Sequence, residues 1–143
     1  MPYQAAVSEK GILNTDARDL AKHIANLALS KKGFDIKILD LQGISSVTDF
    51  FVIVSGEASI HVNAIGSSIA DELAKEGVRP SIQEGMQEGR WILLDYFDVV
   101  AHIFSEPVRE FYSLERLWGD AREVSFDSPG EAGPEMRLGE ASG

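Results

Sequence analysis

The chain has no cysteine, which excludes a disulfide framework, a thiol nucleophile and a cysteine-ligated zinc. Positive charge is scarce: 13 Lys and Arg stand against 23 Asp and Glu, for a net charge of −10. Such a chain is repelled by phosphate backbones and anionic membranes, which argues against nucleic-acid binding and favours encounter with a basic partner. No apolar run approaches the roughly 20 residues that span a bilayer. The first residues, "MPYQAAVSEKGILNTDARDL", lack the unbroken apolar stretch of a secretory signal, and Glu9, Asp16 and Asp19 argue against an organellar transit peptide. A cytoplasmic protein is expected. Histidines are few, and His23, His61 and His102 have no ligand spacing, so no metal and no other cofactor is expected.

What is present suits one domain with one core. The 143 residues are 44% apolar and 25% charged, an ordinary globular balance. Residues 1 to 14 show no period and are expected to form a flexible arm. "TDARDLAKHIANLALSKKG" predicts a helix, with Thr15 as N-cap, a stripe of Leu20, Ile24 and Leu27, and Gly33 as the stop. "FDIKILDL" and "DFFVIVSG" predict strands, the second central in a sheet because it is continuously apolar. "SIHVNAIGSSIADELAKEG" predicts a second helix capped by Ser59, with Val62, Ile65, Ile69 and Leu73 inward. Pro80 confines any strand in "RPSIQEG" to a sheet edge or end. "RWILLDY" and "VVAHIFS" predict a hairpin, and "SEPVREFYSLERLWGDA" a last helix with Phe111, Leu114 and Leu117 inward and Trp118 pinning it to the body. From Arg122 to Gly143 the chain is rich in Gly, Pro, Ser and Glu and predicts a disordered acidic tail. The order α-β-β-α-β-β-β-α makes an α/β domain over 15–121, with a mixed, mostly five-stranded sheet and packed helices. It is not a doubly wound parallel one.

The hairpin carries the strongest functional signal. With Phe97 and Asp98 as a two-residue turn, Asp95 lies opposite Val100. Trp91, Leu93, Asp95, Val100, His102 and Phe104 then share one face, and Ile92, Leu94, Ala101 and Ile103 share an apolar one. An aromatic, a carboxylate and an imidazole on one strip suit a binding patch; the plain alternative is a half-solvated sheet face with a hydrogen-bonded His102 and Trp91 packed under a helix.

Two other stretches are weaker. In "GISSVTDFF", a Gly-Ser loop leading to Asp49 is similar to nucleotidyltransferase-type folds, whose strand needs a second carboxylate two positions on; here that position is Phe51. Ser45, Ser46 and Thr48 are better read as satisfying loop backbone groups. Ser59 and His61, two apart, lack the geometry of a nucleophile and its base.

Taken together, "DIKILDLQGISSVTDFFVIVSG" with "SIHVNAI", then "GRWILLDYFDVVAHIF" and "REFYSLERLWGDA", resemble the ribosomal silencing factor family, also called the Iojap family, over about residues 16 to 121. The resemblance implies a nucleotidyltransferase-like fold without the catalytic carboxylate pair, and a protein that is not an enzyme. It implies binding to the large ribosomal subunit through its protein number fourteen, obstruction of subunit joining and repression of translation. Homodimers are also implied. Trp91, Asp95, Asp98, Val100 and His102 match the family pattern and take the partner-contact role; Tyr96 is placed with them because it borders the turn. The rival functions are a large-subunit assembly factor and, from another class, a nucleotidyltransferase.

Overall fold

A computed structural model describes residues 13–126. Helix α1 spans Leu13–Ser30, followed by β1 (Phe34–Asp40), β2 (Phe50–Gly56), α2 (Ser59–Lys75), β3 (Ile82–Glu84), β4 (Trp91–Asp95) and β5 (Val99–Ser105). Two short helices, α3 (Glu106–Tyr112) and α4 (Leu114–Leu117), lead to β6 (Arg122–Val124). The strands form one mixed sheet in the order β3-β4-β5-β2-β1-β6. Neighbours pair antiparallel except β2 and β5, which run parallel because α2 carries the chain across the sheet between them.

The apolar pattern explains the layers. Every second residue of the central strands points to one face, where Ile38, Val52, Val54, Ile92, Leu94, Ala101 and Ile103 are buried. Ala21, Ile24, Ala25 and Ala28 of α1 and Val62, Ile65, Ile69 and Leu73 of α2 cover them. Alanines on α1 and Gly66 on α2 let helix and sheet approach closely; a Cβ at Gly66 would lie 2.8 Å from the Ile92 side chain. The opposite face holds a smaller core of Leu39, Leu41, Ile53 and Phe104, with Phe51, Trp91, Val108, Leu114 and Trp118 against it.

Several expectations are corrected. The sheet has a sixth strand, β6, formed by residues expected to open the tail; Val124 pairs with Ile38 and packs against the main core. The period-two signal is too short over three residues to stand out. The remainder of the expected tail, 127–143, and residues 1–12 of the expected arm lie outside the described residues. Leu13 is already helical, two residues ahead of the expected cap Thr15. Ser59 is the first helical residue of α2, and Ala58 holds the N-cap position with extended backbone. The last helix is two: Ser113, with φ 49° and ψ 54°, breaks it. The break turns Leu117 outward, 73% exposed, while Leu114 stays against the small core. Trp118 does pin this segment, edge-on to Phe51 at 5.9 Å.

Candidate contact face

The hairpin has the register its sequence implies. Trp91 faces Phe104, Leu93 faces His102 and Asp95 faces Val100. The Tyr96 N–H donates to the Val99 carbonyl (2.8 Å), leaving Phe97 and Asp98 as the turn. Phe97 sits at φ 74°, uncommon for a bulky residue, and the Asp95 carboxylate accepts its N–H at 2.8 Å. Asp95 therefore holds the turn as well as standing on the face.

On that face the polar and aromatic residues interlock. The Trp91 indole N–H, which can only donate, points to His102 Nδ1 at 3.1 Å, so Nδ1 must accept and the neutral ring carries its proton on Nε2. Phe51 meets the His102 ring edge-on at 4.6 Å, Phe104 stacks on it at 6.1 Å, and Trp91 lies 5.0 Å from Phe104. His102 is buried, and Nε2 has no hydrogen-bond partner among the described residues. Burial lowers its pKa from 6.5 to about 4, because a charged ring would lose its water.

The six sequence-selected residues thus separate. Trp91 and Asp95 are half-buried on the open side. Val100 and His102 share their face but are only 7% and 5% exposed, so they support the surface from below. Asp98 is half-buried at the turn, beside Asp49, whose N–H donates to the Asp98 carbonyl at 3.0 Å. Tyr96 lies on the other face, inside the main core; alternation from Trp91 sends it there whatever its closeness to the turn. Burial pushes its hydroxyl pKa up.

The cover over this face runs out toward the sheet edge. Helices α3 and α4 and Trp118 cover the side formed by β1, β2 and β5. All three residues of β3 are exposed, and Trp91, Leu93 and Asp95 of β4 are partly exposed. A groove of about 330 Å³ results, lined by Glu84, Gly85, Glu88, Arg90, Trp91, Leu93 and Val108. Gly85 is obligatory here: at φ +81°, a Cβ would fall 2.0 Å from the Trp91 carbonyl oxygen. Glu84 and Glu88 make its lining acidic, with Arg90 the basic lining residue; Asp95 stands further along β4, opposite Ile82. Leu93 is on the face that alternation in the hairpin predicts, whereas Val108 arrives from α3 and has no sequence signal.

The other candidates do not assemble into chemistry. Phe51 fills the position of a second carboxylate and packs against His102 and Trp118. His61 Nδ1 accepts the Glu57 N–H (2.9 Å) and its Nε2 meets the Lys31 carbonyl (2.8 Å), bracing the start of α2 rather than activating Ser59. Ser45 Oγ accepts the N–H of Val47 (3.1 Å), as expected of a loop-ordering serine. The Thr48 hydroxyl does not satisfy a loop backbone group as expected: it has no hydrogen-bond partner among the described residues. Among the described residues no helix is long and apolar enough to cross a membrane.

The molecule is an α/β protein whose mixed sheet has one covered face and one half-open, aromatic face. The chain belongs to the ribosomal silencing factor family: the family described as ribosomal silencing factor during starvation matches residues 14–140. That match continues past Ala121, beyond the stretch over which the sequence motifs resemble the family. The ribosomal silencing factor RsfS of Bacillus subtilis is 39% identical over 110 residues, covering 77% of this chain and 93% of the relative. The chloroplastic protein Iojap of Arabidopsis thaliana is 32% identical over 124 residues, 85% of this chain and 52% of that one. A crystal structure of a Chromobacterium violaceum protein superposes with a TM-score of 0.69 at 31% identity, covering 76% of this chain and 90% of that one. One from Bacillus halodurans gives 0.68 at 32%, covering 76% and 99%. The family is named for silencing ribosomes and is not a class of enzymes.

Proposed function

We propose that this chain acts in the cytoplasm by binding the large ribosomal subunit through its protein number fourteen, standing where the small subunit must dock and so repressing translation. The carrying observation is the half-open sheet face, where Trp91 and Leu93 sit beside Glu84 and Glu88, with Asp95 further along the same strand. An aromatic anchor ringed by polar groups is the kind of centre that dominates interface energy. Ribosomal proteins are mostly basic, and a chain of net charge −10 is drawn to them over several ångströms. Sterics supply the rest: a 15.6 kDa body seated on the joining surface excludes the second subunit with no reaction.

Sedimentation with purified ribosomal subunits tests this. The chain is expected to travel with the large subunit and not the small one, and to reduce formation of joined particles as its concentration rises. Sedimentation with neither subunit, or joining that proceeds unchanged at saturating protein, would overturn the reading. Tighter binding to immature than to mature large subunits would favour an assembly factor.

A further inference from the structure

A second exposed surface lies at the end of the sheet where the loop before β2 meets the hairpin turn. Ile44, Val47 and Phe97 are 45%, 83% and 73% exposed, yet they sit on ordered backbone. The Leu41 N–H donates to the Asp49 carbonyl at 2.7 Å, closing the loop, and the N–H groups of Ile44 and Ser45 both reach the Leu41 carbonyl at 2.9 Å. The N–H groups of Asp49 and Phe50 converge on the Asp98 carbonyl at 3.0 Å, fastening this loop to the hairpin turn. Exposed apolar side chains gathered in one patch mark contact surfaces, whereas singly scattered ones carry no such meaning.

The polar groups between them are short of partners. Asp40 has Arg18 at 3.3 Å, but Asp49 and Asp98 take part in no ion pair among the described residues. Burial and the charge of Asp40 raise the Asp49 carboxyl pKa; burial and the charge of Asp49 raise that of Asp98. The Thr48 hydroxyl, in the same loop, is buried without a hydrogen-bond partner among the described residues. The end is continuous with the groove face through Asp95, which accepts the Phe97 N–H and lies opposite the exposed Ile82.

We infer that this end of the sheet is a second docking element, which seats a lysine or arginine of the partner protein between Asp49 and Asp98, with its aliphatic stem on Val47 and Phe97. A cation there relieves the repulsion between the two carboxylates, and its stem covers apolar surface that the fold leaves wet. A second copy of this chain would bring four aspartates together and is the poorer occupant. The inference rests on the docking reading above.

The test is a binding titration of the full chain against purified large ribosomal subunits at low and moderate salt, alongside Trp91→Ala. Asp49→Asn combined with Asp98→Asn is expected to weaken binding about tenfold at low salt and to flatten its salt dependence. Val47→Ser, at an 83% exposed position, is expected to weaken it several-fold while leaving the unfolding midpoint unchanged. If the end variants bind like the parent while Trp91→Ala does not, this inference is overturned and the groove reading stands. If Trp91→Ala also binds like the parent, both fall. If the free parent chain sediments as a dimer and the end variants as monomers, the occupant is a second copy and the inference is again overturned.

Discussion

The two faces of the sheet differ in how far their cover extends. Under α1 and α2 the cover is complete: Ile92 and Leu94 on β4 are as inaccessible as Val52 and Val54 at the centre. On the other side burial ends between neighbouring strands. Val100, His102 and Phe104 of β5 are buried, whereas Trp91, Leu93 and Asp95, directly opposite them on β4, are not. The first face buries its apolar surface completely, and the second leaves part of it accessible. Polar groups follow the same division, since the groove rim carries Glu84 and Glu88.

Substitutions on the two faces should therefore separate stability from binding. The largest effect is expected at Ile103, fully buried under the helices: Ile103→Ala should cost about 2–5 kcal/mol in urea unfolding, through lost transfer energy and a cavity. Any binding defect it shows should vanish once the folded fraction is matched.

His102 gives the next largest effect. The unfolded ring takes its proton near pH 6.5 and the folded ring near 4, so its contribution is intact above pH 6.5 and lost as pH falls toward 4. The loss is about 3 kcal/mol for a shift of this size. Protonation must also place a hydrogen on Nδ1, where the Trp91 N–H now points, so acid should loosen the indole. Asp49 and Asp98 act in the opposite direction, because their repulsion fades as pH falls. Comparing parent with His102→Gln in urea titrations at pH 7 and pH 4.5 isolates the imidazole: a parent that loses no more stability than the variant would show that His102 is not held neutral.

Trp91→Ala should cost at least about 2 kcal/mol in binding to large subunits, roughly thirtyfold in affinity. Trp91→Phe keeps an aromatic ring toward Phe104 while deleting the N–H donated to His102, so its affinity should fall between the two. The smallest effect is expected at Leu117, outward and 73% exposed beyond the Ser113 break: Leu117→Ser should stay within about 0.5 kcal/mol of the parent. A marked loss of binding there would extend the contact face over α4.

Much of this was legible in the chain, and the exceptions have specific causes. Period-two alternation with a two-residue turn placed every hairpin side chain correctly except Tyr96, assigned by nearness to the turn instead of by parity. The inward stripe of α2 was readable because four aliphatics recur at helical spacing over 17 residues. The break at Ser113 was not, since an isolated left-handed residue that is not glycine carries no compositional mark. Nor was β6: three residues make no pattern, and what makes them a strand is the open edge of β1.

The local sequence by itself determined the elements with long patterns, the hairpin register and the acidic character of the chain, because periodicity and charge are properties of neighbours along the backbone. Only the tertiary structure decided which half of the second face is covered, that His102 is buried beneath Trp91, and that the loop before β2 meets the hairpin turn. Those outcomes depend on where α3, α4 and Trp118 come to rest, and that is set by packing between segments far apart in the chain.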